Sequence, residues 1–140
     1  MPARTDTLVI LAVDDCPVQR EMLMVQLESA GYSALVVETG EEALQAARSV
    51  AFDAVILDVN MPGMDGLQIG RALRADPATH GALIIMHTSE SEALVRERFA
   101  GYDGFLNKSA VTPMAERIRR MVRERARAPG AVAAAAPRSR

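Results

Sequence analysis

The stretch AVILDVNMPGMDG, Ala54 to Gly66, sets a carboxylate, Asp58, at the end of an apolar run. Ala54 to Leu57 shows no polar alternation, the pattern of a strand covered on both faces rather than one open to water. Such a strand can finish in an acid only where the chain emerges into a site with partners for the charge, because an unpaired buried carboxylate is too costly. Those partners must come from elsewhere in the chain.

Working outward, short apolar runs alternate with helical patterns along the whole sequence. Strands are expected at Leu8 to Val13, Ala34 to Glu38, Ala54 to Asp58, Leu83 to His87 and Gly104 to Asn107. The first helix, Pro17 to Ala30, places Val18, Met22 and Val25 on one side with Leu23, Leu27 and Ala30 beside them, and stops at Gly31. Thr39, followed three positions later by Glu42, makes a capping box for a helix reaching Ser49. Leu67 to Arg74 is the third helix, closed by Asp76 and Pro77. Ser91 to Phe99 is a short fourth. Thr112 and Pro113 open the fifth, which runs to Ala126. Five βα units with right-handed crossovers predict one doubly wound α/β domain over residues 7–127, between disordered segments at 1–6 and 128–140.

In such sheets ligands bind at the carboxyl ends of the strands. There the sequence sets Asp14 and Asp15 after the first strand, Asp58 after the third, His87 and Thr88 after the fourth, and Asn107 and Lys108 after the fifth. If the first and third strands are neighbours, three carboxylates fall within roughly 5 to 10 Å of one another. A hard divalent cation such as Mg²⁺ relieves their repulsion. Each residue also has a plainer reading: Asp15 as a helix cap, Asp58 as a loop acid, Thr88 as a turn residue. Lys108 differs in kind, being the only lysine beside fifteen arginines, so a compact ammonium is wanted there. Acid cluster, metal, hydroxyl and ammonium together suit a phosphoryl group, with Asp58 as ligand and nucleophile.

Composition sets outer bounds. With 49% apolar and 24% charged residues in 140, the chain can bury a proper core. The one cysteine, Cys16, can form no internal disulfide and reads as a small buried residue. The opening apolar run is too short for a signal peptide or a membrane span, so a cytoplasmic protein is expected. The net charge of -2 hides an asymmetry: from Met114 on, eight arginines against Glu116 and Glu124 give +6, leaving -8 elsewhere. Without interleaved aromatics the basic end reads as a solvated helix face and tail, not a nucleic-acid surface. The eight methionines read as core filler.

At this point the residues resemble the receiver domains of two-component response regulators, of the CheY-like kind. The resemblance spans Thr7 to Glu124 and rests on VDD at Val13 to Asp15, LDVNMPGMDG at Leu57 to Gly66, IIMHTS at Ile84 to Ser89 and GFLNK at Gly104 to Lys108. It implies the flavodoxin-like strand order 2-1-3-4-5. It further implies Asp58 as phosphoacceptor and Asp14, Asp15 and the Asn60 backbone carbonyl as partners of Asp58 in holding Mg²⁺. Thr88 and Lys108 would contact the phosphoryl group, Phe105 would be the aromatic switch with Thr88, and Asn60 and Glu90 would tune dephosphorylation. The implied donor is a histidine kinase or a histidine phosphotransfer protein, and the implied output is contact with a protein through the face of helix 4, strand 5 and helix 5. No DNA-binding domain is expected in the residues after Arg127. Two departures stand out: the usual Lys-Pro is Lys108-Ser109, and the chain between Thr88 and Lys108 is about two residues short, so helix 4 should be short or displaced. Two alternatives remain: a receiver fold used as a constitutive interaction module, and an aspartyl-phosphate phosphohydrolase. The second usually needs an acid where this chain has Asn60.

Overall fold

The structure, a computed structural model, describes residues 7–108 and 114–127. The terminal segments, Ser109 and the Thr112–Pro113 start of the last helix lie outside the described residues. Strands β1 (Val9–Val13), β2 (Ser33–Val37), β3 (Ala54–Leu57), β4 (Ile84–Thr88) and β5 (Gly104–Asn107) alternate with helices α1 (Pro17–Ser29), α2 (Gly40–Ser49), α3 (Gly66–Ala75), α4 (Glu92–Arg98) and α5 (Met114–Arg127). All strand pairs are parallel and the order is β2-β1-β3-β4-β5, the flavodoxin-like arrangement expected. Short α4, seven residues long, agrees with the shortened spacing before Lys108.

Alternate residues of the central strands feed two cores. Leu11, Val13, Val55, Leu57, Ile84 and Met86 pack with Ala43 of α2 and with Ile69 and Leu73 of α3. Ile10, Ala12, Ile56 and Ile85 pack on the other face with Leu23 and Leu27 of α1 and Ile118 of α5. Each such fully buried aliphatic side chain contributes about 1.5–3 kcal/mol. Every residue of β3 is buried, which is why its sequence shows no alternation.

Helix starts follow local chemistry. Thr39 accepts from the Glu42 amide while Glu42 accepts from the Thr39 amide, completing the expected capping box. Asp65 and Gln68 form a second box, at 2.9 Å in both directions, and it starts α3 one residue earlier than the apolar pattern suggested. Asp65 thereby fixes the exit of the loop that follows Asp58.

Helix α1 departs from expectation. Leu23 and Leu27 are buried, but Val18, Met22 and Val25 are 65%, 49% and 55% exposed. The sheet is covered by one stripe of the helix, and these three lie outside it. Cys16, expected to be buried, is exposed as the N-cap residue, and its side chain makes no cap bond. Asp15 is therefore not the cap.

Candidate functional site

The register of the sheet assembles the site. Val13 pairs with Leu57, so Asp14 and Asp58 each follow directly on paired ends of adjacent strands. Thr88 pairs with Asn107, which brings Lys108 to the same end from the far side of β4. One carboxylate oxygen each from Asp14, Asp15 and Asp58 lies within 4.8 Å of the others, slightly tighter than strand spacing alone suggested. The Lys108 ammonium draws two of them in, donating to Asp14 Oδ2 at 3.0 Å and Asp58 Oδ2 at 3.1 Å.

Backbone groups hold the acids in place. The Cys16 amide donates to Asp14 Oδ1 at 3.0 Å and the Asn60 amide to Asp58 Oδ1 at 3.2 Å. Arg20, which gave no signal in the sequence beyond being a helix arginine, donates to the Asp14 carbonyl at 2.9 Å. Gly66 lets α3 begin against this loop: a Cβ there would overlap the carbonyl oxygen of Asp58.

Asp14 is 1% and Asp58 5% exposed. Burial pushes the Asp58 carboxyl above its ordinary range and the negative charge of Asp14 adds to this, while Lys108 pulls the other way without cancelling it. Burial works to lower the Lys108 ammonium, but its bonds to Asp14 and Asp58 outweigh that and hold it above its ordinary value. Two buried anions thus share one cation, with Asp15 half-buried at the rim. This is a set of hard oxygen donors with less positive charge than it needs, and the chemistry of the set fits a divalent cation.

Around the cluster, Thr88 is fully buried and its hydroxyl accepts from the Glu90 amide at 3.2 Å. Asn60 Nδ2 donates to Glu90 Oε2 at 3.1 Å, joining the loops after β3 and β4 across the mouth of the site. Phe105 lies half-buried on β5, one strand from Met86 of β4. His87, expected near a strand end, is buried within β4. Burial and the Lys108 charge lower its imidazole to about 4 against the pull of Asp14, so it is neutral. The structure therefore brings Asp14, Asp15, Asp58 and Lys108 together, with Thr88, Asn60 and Glu90 at the same end and Phe105 further down β5.

Comparison with known proteins agrees with this geometry. Residues 10–123 match the family model described as the response regulator receiver domain. The chain is 40% identical over 85 residues to the DNA-binding response regulator MtrA of Mycolicibacterium smegmatis, covering 61% of this chain and 36% of MtrA. It is 35% identical over 113 residues to the sensor histidine kinase GacS of Pseudomonas protegens, covering 77% of this chain and 12% of GacS. It thus spans about a third or less of the length of these curated relatives. Among solved structures, the response regulator TrrA of Thermotoga maritima, in complex with Mg²⁺-BeF, superposes with a TM-score of 0.74 at 34% identity, over 82% of this chain and 99% of that one. With the family model covering most of its length and the strand order and acid cluster in place, the chain belongs to the response regulator receiver domains of two-component signalling.

Proposed function

We propose that this chain is a receiver of a two-component phosphorelay that accepts a phosphoryl group on Asp58. The observation that carries the reading is the sharing of Lys108 by two buried carboxylates, Asp14 and Asp58, with Asp15 alongside. Asp14, Asp15, Asp58 and the backbone carbonyl of Asn60 would hold Mg²⁺, which when bound supplies charge neutralisation at the phosphoryl oxygens. That TrrA was solved with Mg²⁺-BeF supports this for a similar site.

In the transfer, an Asp58 carboxylate oxygen bonds phosphorus as the bond from phosphorus to the donor's histidine nitrogen breaks, and the released imidazole takes a proton from water. Lys108 then faces a phosphoryl oxygen in place of a carboxylate, and Thr88 exchanges its bond from the Glu90 amide for one to the phosphoryl group. Asn60 and Glu90, bonded across the mouth, govern access of water to the product. The chain catalyses no turnover beyond its own phosphorylation and dephosphorylation.

The donor, a histidine kinase or histidine phosphotransfer protein, would dock over exposed Cys16 and Pro17 and along Val18, Met22 and Val25. Their spacing of four and three residues is that of a seam that packs against other helices. The output is contact of the α4, β5 and α5 face with a target protein, set by a two-state equilibrium that Thr88 and Phe105 bias. No described helix is long and apolar enough to cross a membrane. A cytoplasmic setting fits a donor of this kind.

Intact mass after incubation with acetyl phosphate, with and without Mg²⁺, tests the reading. One added phosphoryl group that requires both Mg²⁺ and Asp58, and is absent in Asp58→Asn, is the expected result. No adduct together with no Mg²⁺ binding would favour the constitutive module.

A further inference from the structure

Helix α4 is fastened at its two ends by different means. At the carboxyl end Phe99 is buried, its ring pressed so closely on Gly70 of α3 that a Cβ there would come within 2.5 Å of it. At the amino end the fastening is polar. The Tyr102 hydroxyl, just before β5, donates to Glu92 Oε2 at 2.7 Å, and Arg96 Nη2 donates to the same oxygen at 2.8 Å. The Arg96 guanidinium lies 6.0 Å from the centre of the Tyr102 ring. That ring in turn meets Phe105, centre to centre at 6.0 Å and tilted by 54°.

We propose that Tyr102, through Glu92, is a latch that holds the first turn of α4 in the unphosphorylated arrangement and releases it when Phe105 moves. The proposal rests on the phosphorylation reading above and adds to it the residue that carries the change from β5 to α4. Two inputs converge on the latch. Drawing the Thr88 hydroxyl to a phosphoryl group takes it from the Glu90 amide, two residues before Glu92, and loosens the start of α4 from the loop side. Turning Phe105 inward removes the ring that supports Tyr102 and loosens it from the strand side.

The strengths suit a switch. The Arg96–Glu92 pair has side chains 63% and 43% exposed and contributes little by itself. The bond from Tyr102 to the same carboxylate oxygen is partly buried while that from Arg96 is exposed, so water screens it less. Burial and the Glu92 bond hold the Tyr102 phenol above its ordinary range, so it stays a donor at every working pH. With Phe99 seated against α3, opening the latch lets α4 fray from its amino end rather than unfolding the domain.

Hydrogen exchange of the full chain, read peptide by peptide with and without acetyl phosphate and Mg²⁺, tests this. In the wild type, amides of Glu92 to Arg98 should exchange about tenfold faster once phosphorylated. Tyr102→Phe, which keeps the ring and removes only the hydroxyl, should show that faster exchange already in the unphosphorylated chain, with little further change on phosphorylation. Glu92→Gln should move the same way by a smaller factor. Unchanged α4 exchange in unphosphorylated Tyr102→Phe overturns the latch, as does an increase spread over all helices. If intact mass shows no phosphoryl adduct on the wild type, the phosphorylation reading fails, and the comparison of unphosphorylated chains still decides the latch.

Discussion

At the amino ends of the strands Asp103 accepts from Arg74 at 2.7 Å and from the Ile84 amide at 2.8 Å, and Arg74 also donates to the carbonyls of His80, Ala82 and Gly101. At the carboxyl ends Asp14 and Asp58 share one ammonium. The first arrangement matches charge with charge and satisfies three leftover carbonyls in two loops, so it holds β4, β5 and α3 together. The second leaves more negative charge than positive in a buried place, an arrangement that costs stability until a cation arrives. One end of the sheet is neutralised by its own side chains, and the other is left with an excess of negative charge.

The contrast breaks most sharply at Arg74. Arg74→Ala removes the donor of four bonds and leaves three carbonyls and one carboxylate to water, so we expect a loss of about 3 kcal/mol in chemical denaturation, with phosphoryl uptake retained. An unchanged denaturation midpoint would mean that the amino end is no firmer than the other.

Next in size is the pH dependence introduced by His87. Above pH 6.5 the imidazole is neutral both folded and unfolded and contributes nothing. As the pH falls from 6.5 towards its lowered value of about 4, the unfolded chain takes a proton that the folded chain refuses, and stability is lost by up to about 3 kcal/mol. Asp58, raised in the fold, opposes this at the acid end of the window, because there the folded chain gains its proton first. His87→Leu should flatten the dependence of stability on pH between 7 and 4.5, measured by urea titration at each pH. A slope identical to wild type would place the acid sensitivity elsewhere.

The smallest effect concerns the carboxyl end alone. Mg²⁺ at a hundredfold excess over its dissociation constant should stabilise the chain by about 2.7 kcal/mol. Asp58→Asn removes a charge that burial disfavours, so it should be modestly more stable than wild type without Mg²⁺ and should gain less on adding it. A variant less stable than wild type in both conditions would show that Lys108 needs both acids.

Much of this was readable along the chain. The unalternating run at Ala54 to Leu57 marked a strand buried on both faces, and the strand-end acids with the solitary Lys108 pointed to the cluster they form, because charge after an apolar run is costly without a partner. Helix α1 was read less well. Periodicity finds an apolar stripe that includes Val18, Met22 and Val25 but does not say how wide a stripe the sheet covers, and these three stay exposed. Cys16 misled for a related reason: its residue type favours burial, while the turn out of β1 carries it to the surface.

Residue type and order were enough for the element sequence, the class of fold and the chemistry of the strand ends, because burial patterns and charge costs are local properties of the chain. Which acids share Lys108, what Arg74 ties together and how Tyr102 reaches Glu92 depended on folding. Those contacts join residues from 6 to 94 positions apart, and the parallel register and the packing of α3 and α4 bring them within hydrogen-bond distance.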